Sequence, residues 1–409
     1  MPTTTIDVRI EFLSALARAL ARCGESSDDM ERDLNDCAAR LQLDAQFYVT
    51  PTMVMASFGS DAHERTVLLR VSEGIIDLQA RSTMHEIVEG VKAGEKTAAQ
   101  ALAEINLVAA APQRFAWWVR VLASGVGAAS FAIFLGGGWR AFFAALPVGL
   151  AVGLLVVLAV RYERLRSVVE LLSGFVAAVV TLVVGHLFQH FSLPTVALAG
   201  VILLLPGLGI TIGVAELAAR HLTSGTSRLA GAAVTLVNLG VGSYLGFALV
   251  DRVGLVPSTG RVTPGQTTAL LVAAVVAISL ALLVITNSRT RDWPIVLAAV
   301  VVALVGSRFG AWLVGASLGV AIASIVLGLC ANGYARVSRR PATLLLIPGL
   351  AVLVPGALGL RGVTEFLRDA AGGIDVLTNV VIIAAGLVVG LLVADAVLPA
   401  RSGTGRPEA

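Results

Sequence analysis

Ten predominantly apolar runs follow residue 113, at about 117–137, 141–160, 170–189, 194–213, 229–250, 268–286, 293–307, 309–331, 342–360 and 376–398. Each approaches the roughly 20 residues that a helix needs to cross a bilayer. Hydrocarbon offers no water to a bare backbone N–H or C=O, so runs of this kind have to be helical. Composition agrees: 56% of the 409 residues are hydrophobic and 14% are charged, against about 25% charged in a soluble globular chain. The fold class is a polytopic α-helical membrane protein.

The seventh run is short, because Gly306-Ser307-Arg308-Phe309-Gly310 is expected to break it. Arg291 before it and Arg336, Arg339 and Arg340 after the eighth run call for the same side of the membrane. A hairpin of two spans meets that requirement and one long helix does not. With the N-terminus inside, thirteen arginines fall in cytoplasmic segments and six outside, so both termini are expected to face the cytoplasm. Glycines inside the runs, such as Gly174, Gly242, Gly315 and Gly319, let helix backbones approach closely. That implies a crowded bundle and argues against a single anchor.

Charge divides the chain. Residues 1–113 carry 10 Lys/Arg and 17 Asp/Glu, whereas residues 114–409 carry 20 Arg and 10 acids. The first part reads as a soluble α+β domain facing the cytosol. Ile10, Leu13, Leu16, Ala17 and Leu20 recur at helical spacing, and Met30, Leu34, Cys37 and Leu41 line one face of a second helix over 28–41. The β-prone stretch Ala45–Ser57 is broken by Pro51, Thr66–Val71 reads as another strand, and 78–91 and 97–107 read as closing helices. Asp28, Asp29, Glu31, Asp33 and Asp36 suit a helix N-terminus, where acids complement the dipole. Ser26 and Ser27 look like N-caps. Cys23, Cys37 and Cys330 form no CxxC pair and no His stands at ligand spacing, so neither a metal, a disulfide framework nor a cofactor is expected.

One pattern occurs twice. Pro206-Gly207, Gly213-Val214 and Glu216 match Pro355-Gly356, Gly362-Val363 and Glu365 at a constant offset of 149 residues. The shared form is P-G-x5-G-V-x-E, and each copy is expected at the end of its span. The copies fall on the fourth and ninth spans, so each half has five. An odd number of spans per repeat inverts the second copy, giving an inverted 5+5 repeat, an architecture common among secondary transporters. The domain limits that follow are 1–113 for the cytosolic domain, 114–250 and 267–400 for the two membrane repeats, 251–266 for an external loop and 401–409 for a cytoplasmic tail.

The residues around these Pro-Gly segments resemble the threonine/serine exporter family: Pro206-Gly207, Glu216-Leu217, Leu222, Ser224-Gly225 and Arg228-Leu229, then Tyr334-Ala335-Arg336, Arg340-Pro341-Ala342, Ile347-Pro348-Gly349 and Val354-Pro355-Gly356. Gly24, Glu31 and Thr50-Pro51-Thr52 extend the resemblance to the N-terminal domain. Asp28 and Asp29 stand where the family often carries an aromatic residue and an arginine. The resemblance implies ten spans, a cytosolic domain, and export of L-threonine and L-serine across a bacterial plasma (inner) membrane, driven by the proton motive force. The partners so implied are the amino-acid substrate, protons and the lipid bilayer, without nucleic acid; self-association stays open.

Carriage of a zwitterion needs groups for an ammonium and for a carboxylate. Interrupted helices supply both from backbone, because Pro lacks an N–H and Gly tolerates unusual dihedrals. Candidate pathway residues are Pro206, Gly207, Thr211, Glu216, Asn238, Pro348, Gly349, Pro355, Gly356, Glu365 and Asp395. Glu216 and Glu365 are the foremost proton carriers; the plainer reading pairs them with nearby Arg220 and Arg368. His186 and His190 read as an exposed pair. No GxSxG or HExxH motif is present, which sets a membrane-anchored hydrolase, and likewise a sensor, behind an exporter of hydroxy amino acids or other small metabolites or peptides.

Overall fold

The computed structural model describes residues 5–59, 65–71, 76–111, 113–187, 190–252, 267–353, 356–367 and 369–399. The proposed external loop 251–266, the tail 401–409, Pro355 and Arg368 lie wholly or almost wholly outside these residues.

The N-terminal unit contains α1 (Thr5–Arg22), α2 (Ser27–Arg40), β1 (Ala45–Thr50), β2 (Met53–Phe58), β3 (Arg65–Arg70), α3 (Leu78–Lys92) and α4 (Ala98–Ala110). Its strands form an antiparallel sheet in the order β1-β2-β3. Pro51 does not simply interrupt one strand. It sits with Thr52 in the tight turn of a hairpin in which Thr50 pairs with Met53. Thr50 Oγ1 closes that turn, accepting from the Met53 N–H at 3.1 Å. Side chains at helical spacing on α1, namely Phe12, Leu13, Leu16 and Leu20, meet Met30 and Leu34 of α2, Val49 and Val54 of the sheet, and Ile87 of α3 in one buried core. Each fully buried side chain of this size contributes about 1.5–3 kcal/mol. Ser26 caps α2, Asp77 caps α3, and Thr97 with Gln100 forms a reciprocal capping box on α4.

Beyond the unit lie α5 (Trp117–Phe134), α6 (Trp139–Arg161), the short α7 (Glu163–Arg166), α8 (Val169–Leu187), α9 (Leu193–Val201), α10 (Gly207–Ala218), α11 (Leu222–Arg252), α12 (Thr268–Ile285), α13 (Trp293–Val314), α14 (Ala316–Ser338), α15 (Thr343–Leu353), α16 (Gly356–Phe366) and α17 (Ala370–Val397). Among the described residues nine candidates are long and apolar enough to cross a membrane, α15 and α16 counting as one; α9 and α10, bent by 58° against each other, supply a tenth.

Two boundaries differ from those read in the sequence. The fifth span begins at Leu222, a full two turns early, and so takes Arg228 into the helix. Gly306–Gly310 does not break the seventh span: α13 continues to Val314 and the chain turns at Gly315, whose φ is 87°. A glycine run in an apolar setting keeps its internal hydrogen bonds because nothing else can satisfy them. Gly306 and Gly310 instead pack against Ala323 and Gly319 of α14. The hairpin of two passes remains; its corner moves. On the α8–α11 seam, a methyl group at Gly174 would collide with the Leu239 carbonyl and one at Gly242 with that of Leu171, so close backbone approach requires glycine at both.

Contacts between the two sets of five follow a reciprocal plan. α10 packs on α11 and also on α17, while α16 packs on α17 and also on α11. The first members of the sets, α5 and α12, pack on one another. The fourth member of the first set is the bent pair α9 and α10.

Candidate functional site

The interruption of the fourth span starts with Pro206, which has no N–H to donate. A tight turn at Ile202–Leu204 ends the first half, Leu205 is extended, and α10 starts at Gly207. Pro206-Gly207 therefore opens a half-helix in the middle of the span and does not close the span. No side chain caps α10. Its first-turn N–H groups thus carry the positive end of the helix dipole without a side-chain acceptor.

Gly356 is the first described residue of α16 and lies against this break. A Cβ placed on Gly356 would stand 2.9 Å from Leu205 Cβ and 3.7 Å from Gly207 Cα. Two residues 149 apart in sequence, at matching positions of the repeated pattern, thus stand side by side. One turn into α10, buried Thr211 donates from Oγ1 to the Gly207 carbonyl at 3.2 Å. Along α11, Leu236 and Gly240 touch Gly359 and Val363 of α16. Half-buried Asn238 lies between them in sequence, and its amide has no hydrogen-bond partner among the described residues. The geometry brings together Pro206, Gly207, Thr211 and Gly356. Pro355 falls outside the described residues.

Pro348-Gly349 behaves otherwise. α15 runs through Pro348 without a break, and both residues are buried. A side chain at Gly349 would strike Leu327 of α14, so the pair serves close packing. Asp395 is exposed near the end of α17 and accepts from Asn332 Nδ2 at 2.6 Å. His186 and His190 are both exposed.

The two glutamates occupy unlike surroundings. Glu216 lies nine residues into α10 and about 14 Å along its axis from Gly207. Its side chain is 2% exposed and receives the Arg228 Nε at 3.0 Å and the Ser27 backbone N–H at 3.0 Å. The pairing expected with Arg220 is not the one found: Arg220 adopts φ 68° at the α10–α11 corner, and the antiparallel return of α11 delivers Arg228 instead. Arg228 Nη2 also donates to the Glu25 carbonyl at 3.3 Å, and the Glu25 carboxylate pairs with Arg81. Burial pulls the Arg81 guanidinium down to about 10, with the nearby Arg228 charge acting in the same direction. Glu365 is half-buried one residue before the end of α16, and its side chain has no partner among the described residues.

Further bonds fasten the N-terminal unit to the helical part. Ser224 donates to the Val49 carbonyl at 3.1 Å, Tyr48 to Thr223 at 3.1 Å, and the Leu78 N–H to the Thr286 carbonyl at 2.9 Å. Leu78 is buried with Leu344 and Ile347. Sequence reasoning missed this seam, and it missed the buried Asp292, which binds Arg340 through two bonds of 2.8 and 2.9 Å. A usable signal existed for Arg228, a lone arginine at the margin of an apolar run. Nothing in the local sequence marks Glu25 or Ser27. Among the described residues no group of three or more His, Cys, Asp or Glu could hold a metal ion.

A bundle of nine or ten membrane-length helices, one of them a bent pair at Pro206-Gly207, defines the class among the described residues: a polytopic α-helical membrane protein. Comparison with known proteins supplies the family. A threonine/serine exporter model matches residues 11–250 and a second threonine/serine exporter model matches 269–397. The chain belongs to the threonine/serine exporter family. It is similar to an uncharacterized protein of Schizosaccharomyces pombe (25% identity over 387 residues, 91% of this chain and 50% of the relative). It is similar also to pheromone-regulated membrane protein 10 of Debaryomyces hansenii (26% identity, 94% of this chain and 41% of the relative) and of Saccharomyces cerevisiae (24%, 86% and 46%). The chain thus spans half or less of the length of these relatives. No solved structure matches.

Proposed function

We propose that the protein exports L-threonine, L-serine and similar small hydroxy amino acids from the cytoplasm, driven by the proton motive force. The observation that carries this reading is the contact of Gly356, at the start of α16, with the Leu205–Gly207 break of the fourth span. Uncapped first-turn N–H groups suit a carboxylate, carbonyls released where α9 ends suit an ammonium, and Thr211 and Asn238 are suited to a substrate hydroxyl. Family membership favours an exporter over an enzyme. The reciprocal packing of α10 and α16 on α11 and α17 supports an inverted 5+5 repeat that opens alternately to the two sides.

We assign the proton to Glu365. Glu216 is instead engaged by a guanidinium and a backbone N–H in a buried ion pair that joins α10 to α11 and the N-terminal unit. In this reading the N-terminal unit and both termini are cytoplasmic and the membrane is a bacterial plasma membrane; the yeast relatives bear only on the membrane setting. Cells lacking the protein, loaded with a threonine-containing dipeptide, should release threonine several-fold more slowly than complemented cells. A protonophore should abolish the difference. Equal release with and without the protein rejects the proposal.

A further inference from the structure

A cavity of about 540 Å³ lies in the seam between the N-terminal unit and the helical part, away from the paired breaks. Its walls come from α1, α4, the segment leading into α5, and the end of α12. The volume is within the usual range for small-ligand sites.

The charge on these walls is one-sided. Arg18, Arg22 and Arg120 line the cavity, with Asp77 the single carboxylate. Asp77 is already engaged, accepting from the Ala80 N–H at 2.8 Å and from Asn287 Nδ2. Arg120 donates to the Gln113 amide oxygen. Arg18 and Arg22 are exposed at the cavity rim and have no hydrogen-bond or ion-pair partner among the described residues. They stand one turn apart on one helix, where like charges repel. Arg22 suits the C-terminal end of α1, whose dipole favours a cation, but that reason does not extend to Arg18. An anion between the two guanidiniums would relieve the repulsion.

The remaining lining is apolar, including Met84, Ile105, Val108, Val284 and Ile285. The ligand should therefore join an anionic group to an apolar body. Depth narrows the choice. Trp117 and Trp118 follow the lining residue Phe115 and are 61% and 53% exposed, as tryptophans are at the headgroup level of a bilayer. Guanidinium forks match phosphate oxygens two at a time.

We propose that this cavity binds the phosphate of an amphiphilic anion at the membrane surface and so ties the N-terminal unit to the bilayer side of α5 and α12. The inference is independent of the substrate carried at the paired breaks.

The full-length protein, purified in detergent from phosphatidylcholine nanodiscs containing phosphatidylglycerol, would be analysed by native mass spectrometry for retained lipid. One phosphatidylglycerol should be kept in strong preference to phosphatidylcholine. The double variant Arg18→Gln/Arg22→Gln should lower retention about tenfold or more, the factor expected from loss of one charge-assisted contact. Arg120→Gln provides a second, single-site variant, and Arg161→Gln, an exposed arginine away from the cavity, should leave retention unchanged. A parallel arm adds glycerol 3-phosphate to protein in phosphatidylcholine alone. Thermal stabilisation there without retention of phosphatidylglycerol would make a soluble phosphate the occupant and overturns the tie to the bilayer. No preference for the anionic lipid together with no stabilisation by glycerol 3-phosphate overturns the proposal, as does an equal loss in Arg161→Gln.

Discussion

The two copies of P-G-x5-G-V-x-E share a sequence and a start, and they part company at the far end. α10 ends in a glutamate that is buried, bonded to Arg228 and capped by Ser27 from the N-terminal unit. α16 ends in a glutamate that is half-buried and has no side-chain partner among the described residues. Ser27 of the N-terminal unit bonds to α10, and among the described residues no hydrogen bond joins that unit to α16. Removing one partner of a buried ion pair is costly, because the other is left without its counter-charge. The same motif thus supplies a fixed support in one half and a candidate moving part in the other.

The sharpest way to break this contrast is to remove the arginine. Arg228→Ala leaves Glu216 buried without its counter-charge, at about 3–5 kcal/mol, and should lower the thermal midpoint clearly. It should also open the seam. Cys23, 5% exposed and pushed up to about 12 chiefly by burial, should resist maleimide at pH 8 in the native protein and react in the variant. Unchanged midpoint and labelling would mean that the clamp does not hold the unit.

Gly356→Val tests the shared start. The added atoms press on Leu205 beside Gly207, and overpacking of this kind costs about 1–3 kcal/mol. Threonine efflux should fall about tenfold or more while the protein still inserts; normal efflux would detach the paired breaks from transport. Glu365→Gln is expected to change stability by no more than about 0.5 kcal/mol, yet to make residual efflux insensitive to a protonophore. If coupling survives, the proton is carried elsewhere.

The smallest effect concerns high pH. The Cys23 thiol is normal near 9.0 when unfolded and raised to about 12 when folded, so the folded chain binds more protons between these values. Stability from this group is complete below pH 9 and declines as pH rises toward about 12. Cys23→Ala should flatten that part of the stability–pH curve measured by denaturant unfolding. An unaltered curve would show that Cys23 is not desolvated in the seam.

Much of this architecture was legible along the chain. The apolar runs place the nine or ten membrane-length helices, because a bilayer accepts only a helix of the right length. Pro206 marks a break because a missing N–H is a local fact. Leu13, Leu16 and Leu20 announce the buried face of α1 by spacing alone. Reasoning from breakers failed where packing overrode it. Gly306 and Gly310 looked like an interruption and are helix contacts with α14, and Pro348 sits inside an unbroken helix.

What the sequence by itself determined is a set of membrane-length apolar helices, the presence of an N-terminal α+β unit and the location of one Pro-Gly break, all of which rest on local backbone chemistry and apolar periodicity. Only the tertiary structure decided the partners. Ser27 meets Glu216 across 189 residues, Arg81 meets Glu25 across 56, and Gly356 meets Leu205 from the opposite half. Ion pairs and close backbone contacts depend on position in space, and no residue's own chemistry specifies which distant residue will stand within 3 Å of it.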